Sequence, residues 1–416
     1  MKPQLETRAG ARTRPIVKKS LAVTAGTLML LTVGVPSAFA SLNGEPTSAL
    51  TSVASPETPA PGTSGIQQRM QPLLQDMVDS GLPGAAAFVR DGDQVASLAA
   101  GSANLATSSS MTPEHHMRVG SVTKTYTATI ILQLVDEGKL ALDDTVEAVL
   151  PSLVPGGESI TLRQLLNHTS GLFDYTYDAK LMEPYLNPDG TFNPSDHYTS
   201  PLELVAASNA NPPRFAPGSD WEYSNTNYIL LGLAIEKVTG HNYGHELHAR
   251  IIEPLNLTDT KFPERSTAIQ EPAAHGYQLY GRTSGPTDMT RVSPSFAWAA
   301  GGITSSVTDM ARFGKALMEG KLMSAEQLAE MKTPVNEPGS VKPVYGLGLV
   351  KIDVNGVTLW GHGGDLPGYH SSVLTSDDGS KQIAMIANAG LDTWNAEQAG
   401  AWSAATRGAF SATPEN

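Results

Sequence analysis

Residues 117–140, "MRVGSVTKTYTATIILQLVDEGKL", decide the fold. The second half carries Ile130, Ile131, Leu134 and Val135 at the spacing of one buried helical face. The first turn is unusual: Ser121 and Lys124 stand one turn apart just after Gly120, among threonines and a tyrosine. A serine hydroxyl is a poor nucleophile until a neighbouring base takes its proton. A lysine three residues on shares the serine's face, and burial disfavours its ammonium, so a neutral amine can accept that proton. The helix N-terminus adds free N–H groups and partial positive charge, which suit a transient oxyanion. A plainer reading makes Ser121 a helix N-cap and Lys124 a solvated side chain. With fourteen lysines in the chain, about one Ser-x-x-Lys arises by chance, so the pair alone decides nothing.

Upstream of this helix, the pattern at 66–78 reads as a helix ending near Gly81. "GAAAFVRDGDQVASLAAG" (84–101) then reads as two strands turning at Asp91-Gly92. Helix patterns and loops dominate to about residue 290, including "TLRQLLNHTSGL", "PLELVAASNA" and "NYILLGLAIEKVTG". A helix after "AGGITSS" opens with a capping box expected from Ser306 and Asp309. "YGLGLVKIDV", "VTLWGHGG", "HSSVLTSDD" and "KQIAMIANAG" read as successive strands, with a hairpin turn at Asp378-Gly379, and a helix near 395–410 closes the chain. The expected architecture is α/β (α+β): one antiparallel sheet from both chain ends, flanked by helices, with a mainly helical lobe inserted between them. The sheet lobe is expected over about 65–140 and 290–412, and the helical lobe over about 141–289. The cleft between them is the natural place for a small-molecule site.

Residues 1–40 read as a secretory signal peptide. Lys2, Arg8, Arg12, Arg14, Lys18 and Lys19 form a basic leader, an apolar run covers 21–35, and Ala38-Phe39-Ala40 supplies a cleavage site after Ala40. That run is shorter than the roughly 20 residues a membrane-spanning anchor needs. No adjacent arginine pair marks the twin-arginine route. Residues 41–64, rich in Ser, Thr, Pro and Ala, read as a disordered tether, leaving 65–412 as the folded domain. Removing 1–40 takes six positive charges and one negative, so the formal net charge moves from −13 to −18. That balance excludes a nucleic-acid footprint and opposes binding to anionic lipid, so no membrane contact is expected after cleavage. The chain has no cysteine, so an exported form holds itself by core burial alone.

Two further stretches give the Ser-x-x-Lys pair its weight. "EYSNTNYILLG" places Tyr223 and Asn225 just before a helix, and "WGHGGDLPGYH" places His362 at a strand end, followed by Gly363 and Gly364. Small residues there let a ligand approach the backbone. Ser-x-x-Lys, Tyr-x-Asn and His-x-Gly in this order resemble the penicillin-recognising serine hydrolases. The sequence is most similar to the soluble D-alanyl-D-alanine carboxypeptidases of actinomycetes, whose relatives include class C β-lactamases, D-aminopeptidases and family VIII-type esterases. The likeness covers nearly all of the chain beyond residue 65.

The resemblance implies two-step acyl transfer without metal or organic cofactor. Ser121 is the nucleophile and Lys124 its nearest base. Tyr223, held as or near phenolate by Lys124, shuttles the proton to the leaving amine. Asn225 holds the substrate amide, and His362 orients the proton network. The backbone N–H groups of Ser121 and Asp365 form the oxyanion hole. Trp298 is either a wall of the pocket or a core residue. Substrates implied are small peptides or esters, including peptidoglycan stem peptides, with β-lactams as inhibitors or substrates. The leading expectation is a D-alanyl-D-alanine carboxypeptidase; D-aminopeptidase or amidase, esterase, class C-like β-lactamase and non-enzymatic penicillin-binding sensor follow.

Two departures bear on that order. Such carboxypeptidases read His-Thr-Gly and then a hydroxyl residue, and they carry an arginine after "GLGL" that binds the substrate's terminal carboxylate. Here Asp365 follows His362-Gly363-Gly364, and Val350 follows "YGLGL", with Lys351 on the opposite strand face. A carboxylate beside the leaving group favours neutral or cationic leaving groups. His241, His245 and His248 fall at i, i+4 and i+7 of an expected helix, too far apart together for one metal ion. His168 in "LLNHTSGLF" reads as a structural hydrogen-bonding residue, and no Gly-x-Ser-x-Gly elbow is present.

Overall fold

The computed structural model describes residues 65–280, 285–336 and 343–411. The leader, the tether and residue 412 lie outside them. Helix α1 (Gly65–Asp79) leads into β1 (Gly84–Asp91), β2 (Gln94–Asn104) and the short β3 (Ser109–Ser110). Helix α2 (Thr123–Asp136) follows, then a long helical and looped stretch that includes α3 (Asn225–Thr239) and α4 (Val307–Met318). The chain returns through β4 (Val344–Tyr345), β5 (Val350–Val354), β6 (Val357–Leu366), β7 (Tyr369–Ser376) and β8 (Lys381–Ala387), and ends on α5 (Ala396–Gly408).

The eight strands form one sheet in the order β3-β2-β1-β8-β7-β6-β5-β4, every described pairing antiparallel. The two ends of the chain meet at β1 and β8, where Ala85 pairs with Ala387. Alternation divides the sheet's faces. Ala85, Ala87, Val89, Leu359, Leu374 and Met385 face α1 and α5, packing on Met70, Leu74 and Trp402. Ala86, Phe88, Trp360, Val373, Ala384 and Ile386 face the inner layer, where α2, α3 and α4 share one core. Burying each large apolar side chain there contributes about 1.5–3 kcal/mol.

Both expected hairpin turns are present, with Gly92 and Gly379 at φ +62° and +69°. Two local expectations differ. "YGLGLVKIDV" is not one strand: Gly348 N–H donates to Leu166 O and Gly348 O accepts from Thr125 Oγ1, so contacts from α2 and its neighbours break it between β4 and β5. The box at α4 is half-made. Ser306 caps Asp309 N–H, but the Asp309 carboxylate accepts from Asp259 N–H and Thr260 Oγ1 instead. Among the described residues no helix is long and apolar enough to cross a membrane.

Candidate active site

Ser121 occupies a single 3₁₀ turn, Gly120–Val122, that runs straight into α2. Neither the turn nor α2 has a side-chain cap, so Ser121 is not a capping residue. The backbone of β6 lies directly against this turn. A Cβ on Gly364 would sit 1.9 Å from Val119 O and 2.8 Å from Ser121 N, and one on Gly120 would sit 2.6 Å from Asp365 N. The glycine at 364 thus admits the nucleophile's own backbone, where sequence reasoning gave it to a ligand. The amides of Ser121 and Asp365 are thereby brought side by side.

Lys124 is fully buried and donates to Ser121 Oγ (3.1 Å), Asn225 Oδ1 (2.8 Å) and Ala300 O (2.8 Å). Burial lowers its pKa to about 7, with the Asp174 carboxylate opposing. A neutral amine keeps two hydrogens, which the Asn225 and Ala300 oxygens can hold. Its lone pair then points at the Ser121 hydroxyl, the geometry of a general base.

Three assigned roles change. Tyr223 is buried beside Ser121, and burial pushes its pKa well above the usual phenol range. Lys124 Nζ lies over the ring face, 4.8 Å from the centroid. Tyr223 is therefore a neutral hydroxyl, not a phenolate. Asn225 has Oδ1 taken by Lys124, while its Nδ2 and backbone N–H donate to Asp174 Oδ2 (2.8 and 3.0 Å). It holds the base, with one amide hydrogen left for a substrate. Asp365 points away from the cleft: its carboxylate accepts from His370 Nδ1 (2.7 Å), and that ring packs against Trp394 and Trp402. Its carboxylate is held by His370 and not offered to a leaving group, though its charge still acts on Tyr223, whose pKa it helps raise.

His362 is buried, with Nε2 2.9 Å from Tyr345 Oη and Nδ1 bonded to Gly363 O. Burial and the neighbouring Lys124 hold its pKa at about 3, so it is neutral. Trp298 is a core residue, not a pocket wall. It is 5% exposed, its ring lies 5.5 Å from that of Tyr243, and a Cβ on Gly232 of α3 would meet it at 2.6 Å. Asp174 and Tyr345 were missed from sequence. Asp174 accepts from Thr176 as well as Asn225, and Tyr345, Val350 and Tyr223 pack together. The available signal was a lone carboxylate in the apolar "GLFDY" and the tyrosine that opens "YGLGL".

For metal, His241 precedes the short helix Tyr243–Leu247 instead of lying on it, and His248 faces Glu253. His241, His245 and Glu246 do offer ligand atoms within 4.8 Å of one another. Both Glu246 oxygens are engaged, one by His241 and the other by Arg250.

Residues 66–406 match the family model described as Beta-lactamase. The chain belongs to the beta-lactamase family. Its curated relatives include a putative penicillin-binding protein PbpX of Bacillus subtilis, 29% identical over 77% of this chain and 74% of that protein. A D-aminopeptidase of Brucella anthropi is 30% identical over 69% of this chain but 52% of its own length, so the chain spans about half of that relative. Among solved structures, a D-stereospecific amidohydrolase from Streptomyces sp. is 38% identical with a TM-score of 0.71, covering 80% of this chain and 96% of that one. A D-amino acid amidase from Ochrobactrum anthropi SV3, complexed with D-phenylalanine, is 27% identical with a TM-score of 0.73, covering 83% and 99%. The protein is a serine hydrolase of the beta-lactamase and penicillin-binding-protein family, with the antiparallel sheet and helices of that fold.

Proposed function

We propose that this hydrolase cleaves amides and short peptides of D-amino acids whose leaving group carries no carboxylate. The observation that carries this reading is Val350. It is buried against Tyr223 and Tyr345, at the position where the carboxypeptidases place their carboxylate-binding arginine. Lys351 does not substitute, since its amine lies 5.7 Å from the Trp360 ring centroid, and Trp360 belongs to the core. A buried valine beside Tyr223 gives a free carboxylate no partner, and an unpaired charge there carries a desolvation cost. Similarity to the amidohydrolase and the amidase supports the same choice over the carboxypeptidase reading.

The chemistry follows from the geometry. Neutral Lys124 takes the Ser121 proton as Oγ attacks the substrate carbonyl, and the amides of Ser121 and Asp365 hold the developing oxyanion. Each such donor contributes roughly 2.7–4 kcal/mol to the transition state. The proton Lys124 took from Ser121 is relayed through the Tyr223 hydroxyl to the leaving amine: Tyr223 gives its own proton to the amine and takes the one from Lys124, so both groups end neutral. Water then attacks the ester, with Lys124 again as base. No step needs a metal or organic cofactor.

The test is a substrate panel on the purified protein with Ser121→Ala as control: a D-amino acid amide, its L-enantiomer, a free-acid D-Ala-D-Ala peptide, a short acyl ester and a cephalosporin. The D-amide is expected to be cleaved fastest among the amides and peptides, and a fluorophosphonate to add mass only to the Ser121 peptide. Faster cleavage of the free-acid peptide would restore the carboxypeptidase reading; labelling at another residue would overturn the nucleophile.

A further inference from the structure

His362 stands at one end of a chain of buried polar groups whose hydrogens can be assigned from its two ends. The chain starts at Ser224, next to Tyr223. The Ser224 backbone N–H can only donate, and it reaches His168 Nδ1 at 3.2 Å. Asn227 Nδ2 donates to the same nitrogen (3.1 Å), its orientation fixed because Asn227 Oδ1 accepts from Ser170 Oγ (2.6 Å). His168 Nδ1 is therefore bare, and its proton is on Nε2. Nε2–H donates to Tyr345 Oη (3.2 Å), and the Tyr345 hydroxyl lies 2.9 Å from His362 Nε2. His362 carries its hydrogen on Nδ1, where Gly363 O accepts it. That end is fixed independently, because a carbonyl oxygen can only accept. Tyr228, the other hydroxyl beside Tyr345, donates to Leu166 O (2.8 Å), which leaves its oxygen open to the Tyr345 proton, so the direction is decided at Gly363 O, which accepts from His362 Nδ1–H and leaves Nε2 bare. All three links are buried.

We propose that His168 and Tyr345 are positioning residues that lock His362 as its Nδ1–H tautomer with Nε2 occupied, so that Lys124 alone exchanges protons with Ser121. His362 then presents no N–H to a leaving group. It braces β6, and with it the Asp365 amide, against the Tyr223 segment. Both imidazoles are lowered in pKa by burial, with Lys124 adding to the effect, which agrees with two neutral rings. This proposal rests on the serine-hydrolase reading of the site, not on the substrate chosen above.

The test reads the tautomer directly and separately from any substrate. Protein with ¹⁵N-labelled histidine is examined by long-range ¹H–¹⁵N correlation, with His362→Gln identifying the signal. The expected spectrum shows His362 protonated at Nδ1 and bare at Nε2; a proton on Nε2 overturns the proposal. The second arm is the rate at which a fluorophosphonate labels Ser121. In His362→Gln, a glutamine oxygen can still accept from Tyr345, and the rate is expected to fall by no more than about tenfold. His362→Leu, which leaves Tyr345 without an acceptor, is expected to lose at least about a further tenfold. Tyr345→Phe is expected to slow labelling roughly tenfold and to give a His362 signal averaged between tautomers. A loss in His362→Gln as deep as in His362→Leu, or a Tyr345→Phe protein with unchanged signal and rate, would show that His362 works as a proton carrier or that Tyr345 does not position it. If the substrate panel fails while both arms succeed, only the amidase reading is lost.

Discussion

Asn225 Oδ1 and Ala300 O can hold both hydrogens of a neutral Lys124 amine, so the pKa of about 7 becomes a statement about rate. Below that pH the lone pair facing Ser121 is protonated and the base is lost. The fluorophosphonate labelling rate of Ser121 is therefore expected to fall tenfold per unit as pH drops below about 7, and to level off above about 8. His362, neutral down to about 3, adds no step to this limb. A profile flat to pH 5 would remove Lys124 as the base. At this scale the sequence was legible where spacing alone fixes neighbours: Ser121 and Lys124 share a helical face whatever surrounds them. The Tyr223 charge state and the Asn225 partners were not, because they depend on residues far along the chain, Lys124 and Asp174; the Asp365 direction was not, because it depends on the hairpin register that sets His370 opposite it.

Strand β6 shows what its glycines accomplish beyond local conformation. Gly364 faces the Ser121 turn, whereas Gly361 lies against β7, where a Cβ would meet Val373 O at 1.8 Å. Alanine at either position forces backbone apart and is expected to lower stability by about 1–3 kcal/mol, read as a fall in Tm. The two differ in rate. Gly364→Ala pushes β6 off the Ser121 amide and is expected to slow hydrolysis by about 10²–10³-fold, the effect of losing an oxyanion donor. Gly361→Ala is expected to cost much less activity in whatever protein folds. Equal activity losses at matched stability would mean that β6 does not place the oxyanion hole. Elements with strong local signals were readable, including α1, the two hairpins and α5 with its Asn395 capping box. The break between β4 and β5 and the burial of Trp298 were not, since Thr125, Leu166 and Gly232 impose them from outside those segments.

Across the whole molecule, the expected loss of the basic leader and the charge left behind are linked. Protein recovered from the culture medium is expected to begin near Ser41; recovery only with membranes, residues 1–40 intact, would refute export. A mature chain of net charge −18 carries a negative field whose reach shrinks from about 30 Å at 0.01 M salt to about 8 Å at 0.15 M. D-amino acid amides are cations near neutral pH, penicillins are anions, and a short acyl ester is neutral. Raising salt is therefore expected to lower kcat/KM for the D-amide, raise the rate of penicillin acylation and leave the ester unchanged, each charged case by roughly two- to fivefold. Val350→Arg adds a local cation beside Tyr223. It should speed the penicillin and a free-acid peptide at every salt concentration while the opposed slopes persist, because the distant charges remain. Parallel salt slopes for cation and anion would mean that the field at the cleft is not that of the molecule as a whole. Opposed slopes with no gain from Val350→Arg would instead place the carboxylate away from residue 350, and with it remove the observation on which the choice of amide over free acid rests.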